Sequence, residues 1–314
     1  MLIPRGFRFA VAAAGFRKAG RNDLAVLYST VPATTAAVFT TNLFQAAPVL
    51  VAKENLAASR TMRAVVVNAG QANACTGEDG VVNCKVSLEL AAEALDVKPG
   101  EVLPASTGVI GVHLLMDKWR EAMPQIKESL GQATALEAAK AIMTTDSFPK
   151  LAAARMAAAG GGEVRVLGMC KGAGMICPNM ATMLGFIITD AQVEPELWQE
   201  ILAGCAAESF NRVTVDGDTS TNDCVIGLAN GKSGVTVTRE GMADFVAAVD
   251  QVCQGLAYML VQDAEGGTKV ARIEVQGAAS DADAELVARA VGNSPLVKTA
   301  LFGRDPNWGR IAAA

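Results

Sequence analysis

The sequence contains one histidine, His113, among its 314 residues. Serine and cysteine hydrolases of the usual kind need a histidine base, and catalytic zinc sites usually take two or three histidine ligands. His113 precedes the run LLMDKW, and we interpret it as a structural residue at the start of an amphipathic helix. An enzyme built on this chain therefore needs another base for acyl or proton chemistry.

Blocks of basic charge and long apolar runs are also missing. The net charge is −5, and Lys and Arg are not clustered as a nucleic-acid surface would require. No apolar run reaches the roughly 20 residues that span a bilayer. Arg5, Arg8, Arg17 and Lys18 interrupt the apolar N-terminus, so it does not look like a signal peptide. We expect no nucleic-acid or membrane partner.

The seven cysteines are odd in number, scattered along the chain and without a CxxC pair. This pattern fits reduced thiols rather than a disulfide framework or a zinc site. We therefore expect a cytoplasmic protein without a bound metal.

Apolar residues make up 51% of the chain, enough for a sizeable core in one large or two ordinary domains. Strand-like runs and runs with helical spacing are mixed, which predicts an α/β or α+β fold with layered mixed sheets and helices. Residues 158–162, AAGGG, suggest a hairpin turn or linker. The predicted strands are 24–29, 48–52, 63–70, 163–169, 183–191, 222–230, 233–239 and 269–277, and the predicted helices are 84–96, 114–128, 134–143, 195–210, 241–260 and 283–292.

Four segments carry enough polar side chains to form a site. Each also has a plainer interpretation as a helix cap or a turn stabilised by its own hydrogen bonds. In PASTGVIG, we expect Ser106-Thr107-Gly108 to form a tight turn before a helix, with backbone amides that could face an oxyanion. The segments are NAGQANACTG (68–77), PASTGVIG (104–111), MTTD (143–146) and NRVTVDGDTSTND (211–223).

The last segment also offers a rival function. An apolar run followed by DxDxT resembles the nucleophile motif of haloacid-dehalogenase-like phosphatases. In that interpretation Asp216 attacks phosphorus and Asp218 acts as the acid. The apolar run RVTV is short, and no downstream acidic pair for magnesium is evident.

Thr182 stands in KGAGMICPNMATMLGFIITDA, between a turn-like segment and an apolar strand. It could be an ordinary strand threonine. If the Ala181–Thr182 bond breaks, however, the α-amine of Thr182 becomes free, with an ordinary pKa of about 7.7–8.0. The hydroxyl and its base then belong to one residue, which is a known form of activated nucleophile. The same hydroxyl could make the cut by attacking the Ala181 carbonyl.

The segment KGAGMICPNMATML resembles the self-cleavage segment of the ornithine acetyltransferase family, the bifunctional glutamate N-acetyltransferases / ornithine acetyltransferases. VFTTNLFQAAPV, VVVNAGQANACTG, PASTGVIG, IMTTD, VDGDTSTND, DAEGGTK and DPNWGRI look like further family blocks in family order, over essentially the whole chain. The resemblance implies a self-processing DmpA/ornithine-acetyltransferase-like fold in which two α/β layers pack together. Cleavage between Ala181 and Thr182 would give segments 1–181 and 182–314, associated as an α2β2 heterotetramer.

The resemblance also implies the reaction and its catalytic residues. Thr182 resembles the nucleophile, and Thr107 and Gly108 resemble the oxyanion pair that acts through a hydroxyl and a backbone amide. N-acetylornithine would acetylate Thr182, ornithine would leave, and glutamate would take the acetyl group. This exchange requires no cofactor. Acetyl-CoA remains a possible additional donor.

Thr145, Lys171 and Glu265 resemble substrate-binding positions, as does Thr182 itself. The ammonium of Lys171 suits a substrate carboxylate, and Glu265 suits a substrate amine. Thr144 remains an alternative to Thr145, because MTTD holds two threonines.

Two departures from the family pattern stand out. Cys177 occupies a position where many members have histidine, and we interpret it as a packing residue. The chain stops at NWGRIAAA, whereas family members continue for several tens of residues, so we expect a C-terminally truncated chain that lacks part of the acceptor pocket. A non-catalytic remnant that only binds a metabolite is the remaining alternative.

Overall fold

The computed structural model describes residues 2–17, 20–158, 161–176 and 183–314. Cys177, Ala181 and Thr182, including the expected cleavage site, lie outside the described residues. The strands are β1 (Phe7–Ala12), β2 (Leu24–Phe39), β3 (Thr61–Gln71), β4 (Val102–Val109), β5 (Lys150–Ala157), β6 (Glu163–Lys171), β7 (Leu184–Thr189), β8 (Gln192–Val193), β9 (Cys224–Ala229) and β10 (Thr236–Val237). The helices are α1 (Ala47–Ala58), α2 (Gly77–Leu95), α3 (Met116–Ser129), α4 (Ala135–Ala141), α5 (Pro195–Glu208), α6 (Ala243–Gln262), α7 (Asp281–Asn293), α8 (Pro295–Gly303) and α9 (Trp308–Ala313).

Eight strands form one mixed sheet in the order β4-β3-β2-β9-β7-β6-β5, and β1 pairs with β2 beside this path. The pairs β3–β4 and β7–β9 are parallel, and the other pairs in this sheet are antiparallel. The long strand β2 pairs with β1 and β3 along its first part and with β9 along its second part. Its register against β3 shifts between Tyr28 and Ala33. An irregularity of this kind bends a strand, and it separates a first half-sheet (β1, β3, β4 and the start of β2) from a second (β5, β6, β7, β9 and the end of β2).

The two half-sheets pack face to face. One core cluster contains Val65 and Val67 of the first half-sheet together with Phe186 and Ile188 of the second. The residues between them point the other way, because side chains alternate along a strand. Thus Val66 faces a cluster with α2 and α3, whereas Ile187 faces a cluster with α5 and α6.

The result is four layers, in the order helices, half-sheet, half-sheet, helices. Trp119 of α3 and Trp198 of α5 are the largest fully buried side chains, and each lies in one of the two outer clusters. The predicted α/β class with layered mixed sheets is therefore confirmed. The predicted helices are also present, with ends shifted by a few residues and an earlier start for α2.

Four local predictions were wrong, three on segments of the chain and one on His113. Residues 48–52 belong to helix α1, with Pro48 in its first turn, where proline is tolerated because the first amides have no partner within the helix. Residues 269–277 form no strand and are mostly exposed. Ser106-Thr107-Gly108 is not a turn but lies within β4. The antiparallel pairing of β5 with β6 up to Ala157 and Glu163 agrees with a hairpin connection rather than a linker, although residues 159 and 160 lie outside the described residues.

His113 is exposed and lies three residues before α3, so it does not start that helix. Among the described residues, no helix is both long and apolar enough to cross a membrane.

Candidate active site

The end of β4 lies unusually close to β3. Thr107 is opposite Ala69, and Gly108 is opposite Gly70. Gly108 has a φ of +132°, and a Cβ built on it would lie 2.3 Å from both the carbonyl carbon and the oxygen of Gly70. A side chain therefore cannot be placed at 108 without moving the β3 backbone. This explains why glycine follows Thr107.

Lys171 links the two half-sheets at this point. It is the last residue of β6, only 6% exposed, and its Nζ donates to Oγ1 of Thr107 at 3.1 Å. Because an ammonium can only donate, it occupies a lone pair of the Thr107 oxygen and leaves the hydroxyl hydrogen for another acceptor. Two residues that are 64 positions apart in sequence thus form one polar site.

Burial lowers the pKa of the Lys171 ammonium below its usual value. The negative charge of Asp146 opposes this shift, whereas the positive charge of Lys150 adds to it. The first effect arises because a charged group loses hydration when it leaves water.

The MTTD segment approaches the site through its backbone. Arg17 donates to the carbonyl oxygen of Thr144 at 2.7 Å, and the Thr144 amide donates to Asp146 Oδ2 at 2.9 Å. Asp146 Oδ1 in turn accepts the Gly172 amide at 2.6 Å, directly after Lys171. Thr145 is exposed, whereas the backbone of Thr144 is occupied on both sides.

Glu265 lies on the other flank. Its amide donates to the Ala173 carbonyl at 2.8 Å, two residues beyond Lys171. Its exposed carboxylate packs on Gly174, where an added Cβ would come within 2.7 Å of the carboxyl carbon. Thr145, Lys171 and Glu265 therefore belong to segments that meet around residues 171–174.

The next described residues, from Met183, lie beside the same site. Leu184, the first residue of β7, pairs with Lys171 on β6 and with Cys224 on β9. Thr182 lies outside the described residues.

The Asp216–Asp218 pair is arranged differently from a phosphatase motif. No strand precedes it, since Phe210–Arg212 form a 3-10 turn and residues 213–218 are irregular. The carboxylate of Asp216 accepts the Met175 and Asp218 amides. The plainer interpretation, a turn held by side-chain to backbone bonds, describes this loop. Within the described parts of the chain, no three His, Cys, Asp or Glu residues are placed to hold a metal ion.

Two buried residues near the site were missed by sequence reasoning. Asn222 donates from Nδ2 to the carbonyl oxygens of Ala72 at 2.6 Å and Ser106 at 2.9 Å, so it connects the TSTND loop to β4 and to the residue that follows β3. Lys150 lies beneath Asp146, fully buried. Asn222 stands in a segment that the sequence marked as polar, whereas no signal in the sequence distinguishes Lys150 from a surface lysine.

A family model for ArgJ matches residues 8–314. The chain belongs to the ArgJ family. Membership makes it an enzyme of arginine biosynthesis. One ArgJ relative, the arginine biosynthesis bifunctional protein of Nitratidesulfovibrio vulgaris, is 61% identical over 99% of this chain and 79% of its own length.

Solved structures agree with the ArgJ assignment. The crystal structure of the ArgJ protein from Bacillus halodurans is 35% identical, with a TM-score of 0.53, over 57% of this chain and 92% of that one. An L-aminopeptidase D-Ala-esterase/amidase from Ochrobactrum anthropi, described as a variant of the Ntn hydrolase fold, has a TM-score of 0.52 over 91% of this chain and 92% of its own. At 10% identity the second match shows the fold alone, and it agrees with the expected DmpA-like architecture.

Proposed function

We propose that this protein moves an acetyl group from N-acetylornithine to glutamate through an acetyl ester on Thr182. The observation that carries the proposal is the 3.1 Å hydrogen bond between Lys171 and Thr107, beside the first residue of β7. It joins a buried cation to a threonine hydroxyl. The cation, Lys171, pairs with Leu184, which comes two residues after Thr182 in the sequence. Membership of the ArgJ family supports the same reaction.

In the first half of the reaction, Oγ of Thr182 attacks the acetyl carbonyl of N-acetylornithine. The amide C–N bond breaks, the acetyl group stays on Thr182, and ornithine leaves with a proton passed to its amine. The free α-amine of Thr182 takes the hydroxyl proton at attack and returns it to the leaving amine. In the second half, the amine of glutamate attacks the ester, and the Thr182 hydroxyl is restored.

Thr107 and Gly108 supply the donors for the negative oxygen that develops at each attack. Lys171 directs the Thr107 hydroxyl hydrogen away from itself, and its positive charge strengthens that hydrogen as a donor. Two donors aimed at a developing oxyanion stabilise the transition state more than the substrate, which raises kcat.

Lys171, Thr145 and Glu265 bind the amino-acid part of the substrates. Both substrates carry an α-carboxylate that can accept from Lys171 or Thr145, while Glu265 can accept from the side-chain amine of ornithine. An amide is exchanged for an amide, so the reaction draws on no cofactor. Acetyl-CoA is a second possible donor, and glutamate acetylation with acetyl-CoA alone tests it.

The nucleophile forms by self-cleavage between Ala181 and Thr182, giving fragments 1–181 and 182–314. We propose that the fragments stay associated as an α2β2 heterotetramer and work in the cytoplasm.

The experiment combines processing and chemistry. The purified protein should run as two bands, and Thr182→Ala should give one intact chain. N-acetylornithine alone should add one acetyl group to fragment 182–314, detectable by intact mass. A correctly folded wild-type chain that stays intact, or turnover without any acetyl-enzyme, would defeat the mechanism. A magnesium-dependent phosphatase activity lost in Asp216→Asn would instead favour the rival function.

A further inference from the structure

Lys150 opens strand β5 and is completely buried. Its Nζ donates to Oδ1 of Asp146 at 2.7 Å and to Oδ2 of Asp263 at 2.5 Å. Both carboxylates are buried as well, with side chains that are 0% and 2% exposed. Three charged groups lose hydration free energy when they are buried in a protein interior. Because this loss can cancel their mutual attraction, such a cluster contributes little net stability. The position of this cluster suggests another role.

Each carboxylate holds a different segment of the candidate site. Asp146 follows Thr145 and accepts the Gly172 amide, so it connects the MTTD segment to the end of β6. Asp263 directly follows α6 as its C-cap residue, two positions before Glu265, and its carboxylate accepts the Ser147 amide at 3.0 Å.

Lys150 is therefore the centre of a junction between the segments that carry Thr145, Lys171 and Glu265. Because its side chain is 0% exposed, it cannot touch a substrate. Any effect on catalysis must act through the residues it holds in place. Small displacements matter here, since a shift of about 1 Å in a bound group can lower a rate about 10²-fold.

We propose that Lys150 is a positioning residue that fixes the spacing of Thr145, Lys171 and Glu265 by bridging Asp146 and Asp263, and that it thereby sets the affinity for the amino-acid part of the substrates. This inference rests on the proposed function. In this proposal, the buried ammonium of Lys150 aligns the two segments, carrying Thr145 and Glu265, that lie on either side of Lys171. Thr107 and Gly108 lie on β4 and receive no bond from Lys150, Asp146 or Asp263. The cluster reaches Thr107 only indirectly, through Lys171, so the chemical step should change less than binding.

The test uses Lys150→Met in the full chain, which keeps the length of the side chain and removes its charge. KM for N-acetylornithine should rise about tenfold or more, with kcat changed less than about threefold, the pattern of lost binding rather than lost transition-state stabilisation. Equal losses in kcat with KM unchanged would overturn the proposal. Asp263→Asn, which keeps an oxygen acceptor for both Lys150 and Ser147, should show the same split in milder form and serves if the methionine variant does not fold.

Arg5→Met is the matched control. Arg5 pairs with the fully buried Asp190 at 2.9 Å. Asp190 follows the far end of β7, about 20 Å from Leu184 at roughly 3.3 Å per residue. Arg5→Met should lower the melting temperature without changing KM. The Arg5 side chain is 40% exposed, so the control removes a partner of a buried carboxylate without removing a buried cation. A rise in KM equal to that of Lys150→Met would show that loss of any cation beside a buried carboxylate has this effect, and would refute a specific role.

Two further measurements test the positioning role of Lys150 separately from the proposed acetyl-transfer reaction. At saturating N-acetylornithine, Lys150→Met should still form the acetyl-enzyme, whereas absence of that adduct in the wild type would refute the proposed function alone. Ornithine binding measured by calorimetry needs no turnover, and Lys150→Met should weaken it about tenfold. An unchanged dissociation constant would reject the positioning role whatever the reaction is.

Discussion

Nζ of Lys171 and Oγ1 of Thr107 are 3.1 Å apart, although the two residues belong to different half-sheets. The contact gives the Thr107 hydroxyl a fixed direction and a positive neighbour. Its consequence for catalysis can be measured by removing the hydroxyl.

Thr107→Ala should lower kcat about 10²–10³-fold, the usual loss when one oxyanion donor is removed. KM should change little, because the proposed donor would act on charge that is absent from the bound substrate. Steady-state kinetics with N-acetylornithine and glutamate test this. Thr107→Ser keeps the hydroxyl and should retain most of the activity. A change confined to KM would make Thr107 a ground-state binding residue.

Gly108→Ala should be poorly tolerated, because its Cβ would enter the Gly70 carbonyl. Gly111 is the matched control, since it also has a positive φ, +83°, but has nothing within 4 Å of an added Cβ. Gly111→Ala should cost about 1–2 kcal/mol of stability from backbone strain alone. Urea denaturation should show a clearly larger loss for Gly108→Ala, or no folded protein. Equal losses would mean that β3 moves freely away from β4.

Asn222→Ala should lower kcat about tenfold while leaving a folded protein, because two carbonyls lose a donor and the end of β4 loosens beside Thr107. Asn230 is a suitable comparison, since its Nδ2 also bridges two segments, at the Arg5 carbonyl and Ser29 Oγ. Asn230→Ala should lose similar stability with kcat unchanged. Parallel losses of activity in the two variants would show that general loosening, not the position of Thr107, is responsible.

Asp146→Asn should make stability less dependent on pH. Burial opposes ionisation of Asp146, but Lys171, Lys150 and the Gly172 amide outweigh it and lower the pKa of this carboxyl below 3.8. A lowered carboxyl pKa contributes stability that is present above the unfolded value and is lost as the pH falls through the folded value. The variant should therefore lose about 2 kcal/mol at pH 7, and the difference from wild type should shrink as the pH falls below about 3.8.

Urea denaturation between pH 7 and pH 3 measures this difference. Asp117→Asn is the control, because the Asp117 side chain is 95% exposed in its pair with Arg120. Its effect on stability should be small at every pH. A constant difference for Asp146→Asn across the range would mean that the carboxyl is not ionised in the folded protein.

The starts of several helices could be predicted well from the sequence. Thr134 caps α4 and exchanges hydrogen bonds with Glu137, and Glu194 caps α5 before Pro195. These signals act over three or four residues, so they are visible without the rest of the molecule. The alternating and apolar runs of β3, β6, β7 and β9 were equally readable, because burial on both faces leaves little choice of residue.

The wrong secondary-structure predictions concern segments whose conformation depends on residues far away in the sequence. Residues 106–108 were predicted to form a turn, because their strand character depends on pairing with residues 68–70 of β3. Residues 269–277 alternate like a strand, yet pair with no strand in the described chain. Residues 48–52 were ambiguous between strand and helix, as short apolar runs usually are.

The site was predicted through the family resemblance rather than by local rules. That resemblance selected Thr107, Gly108, Thr145, Lys171 and Glu265, and the structure gathers their segments around residues 171–174. It gave no indication of Lys150 or Asn222, whose importance comes from what they touch in three dimensions. A lysine that bridges two aspartates 117 positions apart in the chain leaves no pattern in the sequence.

The strand order of the large sheet also determines whether the sheet forms before or after the proposed cleavage. Strands β9 and β7 come after residue 182, yet they are inserted between β2 and β6, which come before it. Segment 1–181 alone would lack the two strands between β2 and β6. Segment 182–314 alone would have β7 and β9 without their outer neighbours β6 and β2. Neither segment can form its part of the sheet without the other. If the chain is cut between Ala181 and Thr182 as proposed, the sheet must therefore form before the cut. We expect that fragments 1–181 and 182–314, produced separately and then mixed, do not rebuild it.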